Sequence, residues 1–141
     1  LEKKSLVSIL NEIPVKKGDV FFLETGTIHA IGAGVVIAEI QQTSDITYRI
    51  YDWDRVDAEG NGRELHTELA LDAINYNTTD TKKDYNLKEN VLTEVVDCSY
   101  FKTSILPLEG DVLWRKKSEA FTVLMCTEGV FELFYDEKQY S

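Results

Sequence analysis

The sequence predicts a mainly all-β fold, a sandwich or small barrel carrying one or two short helices. Three observations lead there. Short runs rich in Val, Ile, Phe, Tyr and Thr recur along the chain, glycines punctuate them, and helical spacing of apolar residues is confined to two brief stretches. At 141 residues and 43% hydrophobic, the chain is long enough to bury a sizeable core.

The elements follow in order. Leu6, Ile9 and Leu10 lie at helical spacing within Ser5 to Asn11, and Pro14 ends any helix there before it passes Ile13. From Gly18 the texture changes to strand-like runs at Asp19–Leu23, Val35–Gln41 and Ile46–Asp52, with Gly26, Gly32 and Gly34 available for turns between them. Residues 57–62 form a polar loop. Beyond it Leu65, Leu69, Ala73 and Tyr76 recur every three or four residues behind Thr67, a suitable N-cap, so one short helix is expected. Asn75 to Asn90 is polar and reads as a linker or long surface loop. Strand texture returns at Val91–Val96, Tyr100–Leu106, Asp111–Arg115, Phe121–Met125 and Val130–Tyr135, with Thr127-Glu-Gly129 as a hairpin turn.

Composition narrows the function. Twenty-five acidic residues against 15 basic give a net charge of −10 without a Lys/Arg cluster, which argues against nucleic acid, whose binding rests on neutralising many phosphates. A small anionic substrate needs only one or two local cations and stays open. The longest uncharged apolar stretch, Ala30 to Ala38, is about half of the ~20 residues of a membrane span, and the segment after Leu1 is too charged for a signal peptide. Cys98 and Cys126 are too few for a disulfide framework and lack CxxC spacing, so reduced thiols in a soluble cytoplasmic protein are expected.

The chemistry concentrates in Gly18-Asp-Val-Phe-Phe-Leu-Glu-Thr-Gly26-Thr-Ile-His29. Two glycines eight apart bracket a strand, and His29 follows the second by three; such a turn would swing the imidazole toward the sheet interior, where it can serve a zinc ion. Taken alone, the same spacing also suits a core or surface histidine in a turn. Farther on, Asp45, Thr47, Arg49 and Tyr51 share one parity in an expected strand, so one polar face could present both Asp45 and Arg49; taken alone, the pair also suits a surface ion pair. A planar, permanently charged guanidinium fits an enediolate or phosphate oxygen better than an ammonium does.

The spacing around His29 resembles the second motif of the cupins, small β-barrels of the jelly-roll type, with Glu24 where that motif usually has proline. The run from Gly34 through Glu39-Ile-Gln-Gln-Thr-Ser-Asp45-Ile-Thr-Tyr-Arg49 to Arg55, with Arg63-Glu-Leu-His66 and the Leu/Ala helix beyond, resembles type I phosphomannose isomerases of the short bacterial form. The resemblance covers about Val15 to Tyr76. It implies a cupin-like jelly roll, the interconversion of mannose 6-phosphate and fructose 6-phosphate, and one zinc ion per site. It also implies His29 as a zinc ligand, with Asp45 and Arg49 in the sugar-phosphate site.

The same family takes further ligands from a Gln-x-His segment and a glutamate, and uses a nearby lysine, all before the matched region; this chain has no such segment. The expected organisation is therefore the second half of a catalytic barrel with its short helix (1–76), a linker (77–90) and the first half of a smaller barrel (91–141), in a fragment inactive by itself and poor at binding zinc. Unpaired edges in two half-barrels would be covered in one composite sandwich or in a strand-exchanged homodimer. A non-catalytic cupin-like sugar-binding or regulatory module is the alternative. His66 reads as a cap or packing residue and is not assigned to metal, Trp53 and Trp114 read as packing anchors, and nothing makes Glu39 or Gln41 ligands in preference to polar groups on a strand face.

Overall fold

The computed structural model describes residues 3–77, 79–116 and 119–140. Among them are six short strands and two helices in the order α1 (Lys3–Ile9), β1 (Val20–Phe21), α2 (Thr67–Ala73), β2 (Lys82–Lys83), β3 (Thr93–Asp97), β4 (Lys102–Ile105), β5 (Leu133–Tyr135) and β6 (Lys138–Tyr140). The strands pair as three separate antiparallel ribbons, β1 with β2, β3 with β4 and β5 with β6. Strands outnumber helices as expected, and among the described residues no sheet closes on itself.

The chain divides into two units, Leu1–Glu109 and Gly110–Ser141. In the first, α1 buries Leu6, α2 buries Ala70 and β3 buries Val96; Leu6 is the position helical spacing expects, whereas Ile9, Leu69 and Tyr76, also picked out by that spacing, are exposed. β1 does not pair with a neighbouring run. Its partner Lys82–Lys83 comes from the segment read as a linker, and Lys82 reaches back to Asp19 at 3.0 Å. Phe22 N–H extends the pairing to the Thr81 carbonyl at 2.8 Å, and the Phe22 ring meets Phe101 edge-on, 6.5 Å between centroids. β3 and β4 hold the longest ladder, with a register shift between Glu94 and Val96. Asn90 braces its open end: the side-chain amide donates to the Glu109 carbonyl, and its oxygen accepts from Glu109 N–H, both at 2.9 Å.

Among its described residues the second unit contains one hairpin, β5–β6. Its turn is Asp136–Glu137, both at positive φ, and the hairpin expected across Thr127-Glu-Gly129 forms no ladder among the described residues. Two positive φ values in the loop are the sign pattern of the tight turn whose twist suits a hairpin. The runs Val35–Gln41, Ile46–Asp52, Asp111–Arg115 and Phe121–Met125 form no ladder among the described residues, and Val36, Leu113 and Phe121 are exposed. Apolar alternation favours a strand only where a partner supplies the other half of the ladder.

Candidate functional site

The loop that carries His29 is tied to the far end of α2. Thr27 N–H donates to the Glu24 carbonyl at 3.0 Å, closing a turn around Gly26, and the Gly26 carbonyl accepts from Asn75 N–H at 2.9 Å, just beyond the helix. Gly26 has φ +88°, and a Cβ there would press on the Ala73 carbonyl oxygen and lie 2.8 Å from Asn75 N, so only glycine fits. His29 itself is exposed rather than turned inward. Its Nδ1 lies 2.8 Å from the Thr27 carbonyl, an atom that can only accept, so in the neutral ring Nδ1 carries the proton and Nε2 the lone pair. That short-range bond holds the ring against its own backbone.

Asp45 sits on a small turn in which Ser44 Oγ accepts from Ile46 N–H at 3.2 Å, and it is exposed. Arg49 is half-buried and held from three sides. Its backbone N–H donates to His66 Nδ1 at 3.1 Å, its carbonyl accepts from His66 N–H at 2.7 Å, and its Nη1 donates to the Glu64 carbonyl at 3.3 Å. The shared strand face expected for Asp45 and Arg49 does not form, because the backbone of Arg49 pairs with the start of α2 instead of with a ladder. Among the described residues no hydrogen bond or ion pair joins Asp45 to Arg49.

Between Arg49 and α2 the chain makes two tight reversals. Trp53 and Asp54 both have positive φ, and Arg55 N–H closes the turn on the Asp52 carbonyl at 3.0 Å. The polar loop 57–62 is organised by Asp57, whose carboxylate accepts from Glu59 and Asn61 N–H at 3.0 and 2.8 Å. These bonds, that from Asn61 foremost, hold the Asp57 carboxyl below its ordinary range. Across the reversals Arg63 grips the buried Asp52 with two bonds, Nε to Oδ2 at 2.7 Å and Nη2 to Oδ1, and that pairing depresses the Asp52 carboxyl more than desolvation raises it. A cleft of about 210 Å³, lined by Tyr51, Asp52, Arg55, Arg63 and Leu65 among others, opens beside this pair.

No family model and no solved structure matches the chain. Curated proteins do. The chain is 33% identical over 143 aligned residues, 99% of its own length and 45% of the relative's, to the mannose-6-phosphate isomerase ManA of Bacillus subtilis strain 168. Over a 66-residue stretch, 47% of the chain and 21% of the relative, it is 53% identical to the mannose-6-phosphate isomerase of Streptococcus mutans. The chain belongs to the mannose-6-phosphate isomerase family. It spans less than half the length of these two relatives.

The zinc expected at His29 makes metal fit the first chemical question. A ligating imidazole typically donates its second ring N–H to a carbonyl or carboxylate, and His29 makes that bond to Thr27. As one ligand it fits. Among the described residues, no three His, Cys, Asp or Glu side chains gather into a metal-holding group. Cys98 and Cys126 are free thiols, and Cys98 Sγ lies 3.3 Å from the Phe101 carbonyl oxygen. No described helix is long and apolar enough to cross a membrane.

Sequence reasoning placed His66 near a helix start, and it is the residue preceding α2, one position before the Thr67 expected to cap it. What it missed is the ring's partner. Arg49 lies 17 residues away, a separation with no local pattern to read, and only the family-like Arg63-Glu-Leu-His66 run marked the segment.

Proposed function

We propose that the complete protein is a zinc-dependent aldose–ketose isomerase that interconverts mannose 6-phosphate and fructose 6-phosphate within a cupin-like jelly roll. The observation that carries this reading is the 33% identity to a mannose-6-phosphate isomerase across 99% of the chain. His29 supplies one ligand through Nε2, with its Nδ1–H anchored on Thr27. Other ligands come from parts of the protein outside this chain. Zinc, when bound, supplies Lewis acidity and a template for the sugar oxygens.

The chain's own residues then divide the work. Isomerisation moves a proton between adjacent carbons through an enediolate, so negative charge grows on two sugar oxygens. Arg49, its backbone clasped and its guanidinium steadied by the Glu64 carbonyl, offers fixed positive charge for that oxygen or for the phosphate. Asp45, exposed and not bonded to Arg49, takes the other role the family resemblance implies for it, proton handling. The substrate is a small phosphorylated sugar, with neither nucleic acid nor membrane as partner, and the free thiols suit a cytoplasmic setting.

The test is metal analysis beside a coupled assay with mannose 6-phosphate on the complete protein. His29→Ala is expected to lower zinc content and activity together, activity by more than about 100-fold, since even residues that merely support ligands cost 10–100-fold. Full zinc occupancy in that variant removes His29 from the metal. Absence of turnover in the zinc-loaded wild type favours a sugar-binding or regulatory module instead.

A further inference from the structure

We infer that His66 is a positioning residue for Arg49, its Nδ1 lone pair fixing the backbone amide from which the guanidinium extends. The inference rests on the role given to Arg49 above. His66 occupies the N-cap of α2 yet makes no side-chain bond to its own helix. Its acceptor is directed instead to Arg49 N–H at 3.1 Å, while its backbone N–H donates to the Arg49 carbonyl at 2.7 Å. Two bonds of opposite sense between the same two residues stop the segment from sliding or rotating, and the Nη1 bond to the Glu64 carbonyl sets the direction of the side chain.

The bond to Arg49 requires a bare Nδ1, so the neutral ring carries its proton on Nε2, the nitrogen 3.8 Å from Glu64 Oε2. The ring is 24% exposed and lies 6.2 Å from that of Tyr48, which limits how far it can turn. Truncation at 66 keeps the backbone half of the clasp and orphans the Arg49 amide. Asparagine returns an acceptor oxygen close to where Nδ1 stands.

In the complete protein, His66→Ala is expected to lower kcat about 10- to 100-fold with KM little changed, the scale of a misplaced reacting group. His66→Asn recovers most of that loss. Long-range proton–nitrogen correlation spectra of isotope-labelled histidine are expected to find His66 protonated on Nε2 alone. An unmoved kcat in His66→Ala, equal losses in folded Ala and Asn variants, or a proton on Nδ1 each overturns the inference. The role of Arg49 fails separately. Arg49→Lys is expected to lower kcat roughly 10-fold or more while raising KM less, because charge is kept and the planar fork is lost. A wild-type kcat there removes Arg49 from the chemistry and leaves the His66 tautomer as found.

Discussion

Between Asn90 and Glu109 the chain is held by a backbone ladder, whereas between Gly26 and Asn75 it is held by single groups that clasp backbone far away in sequence. β3 and β4 exchange a run of main-chain bonds whose existence does not depend on which side chains they carry. The stretch with His29, Asp45 and Arg49 relies on one glycine under the end of α2, one imidazole on one amide and one carboxylate–guanidinium pair. A ladder spreads its hold over many equivalent contacts. A clasp concentrates it, so a single substitution removes a whole constraint, and the residues proposed for the site inherit that sensitivity.

The largest effect on stability is expected at Gly26. Gly26→Ala combines left-handed strain at φ +88° with pressure on Ala73 O and Asn75 N, backbone atoms that cannot swing away. We expect a loss of about 2–5 kcal/mol, read as a lower urea midpoint with an unchanged slope. Val96→Ala, in the ladder, removes two buried methyl groups and is expected to cost about 1–3 kcal/mol. Hydrogen exchange should find the β3–β4 amides still protected there, because the pairing outlives the side chain. If Val96→Ala costs more than Gly26→Ala, or if it strips that protection, the contrast between ladder and clasp collapses.

The same contrast decides what could be read from the sequence. β3, β4 and α2 were legible because period-two and helical spacing of apolar residues mark a single element, although in α2 the residue buried is Ala70 and not Leu69, which helped to mark it. β6 was not, since Lys138-Gln139-Tyr140 is polar and its turn, Asp136–Glu137, lacks the glycine that usually marks such a reversal. Trp53–Asp54 hides its turn in the same way. At the site, Gly26 and His29 announced a glycine-bounded turn, but the partners of Gly26 and Arg49 lie in or beside α2, and no pattern in a linear chain encodes them. Val35–Gln41 and Ile46–Asp52 show the converse: strand propensity was present and the pairing partner was not.

The smallest expected effect separates charge from shape within the clasped region. Asp52 is buried, and Arg63 holds its carboxyl below the ordinary value of 3.8, the side-chain hydrogen bond being the leading cause. A carboxyl whose value is lower in the folded than in the unfolded chain contributes stability that is complete above the ordinary value and is lost as pH falls through the folded one. Asp52→Asn keeps the volume but leaves Arg63 without its charged partner and with one acceptor fewer. Since the Arg63 side chain is 55% exposed, water screens part of the attraction, and a Tm decrease of a few degrees is expected at neutral pH. Thermal unfolding of both proteins followed toward acid decides the cause. The difference should shrink as pH drops below 3.8. A gap that persists into strong acid means that the shape of the pair, not its charge, holds the reversal between Asp52 and Arg63, and that this clasp then resembles the ladder in being indifferent to ionisation.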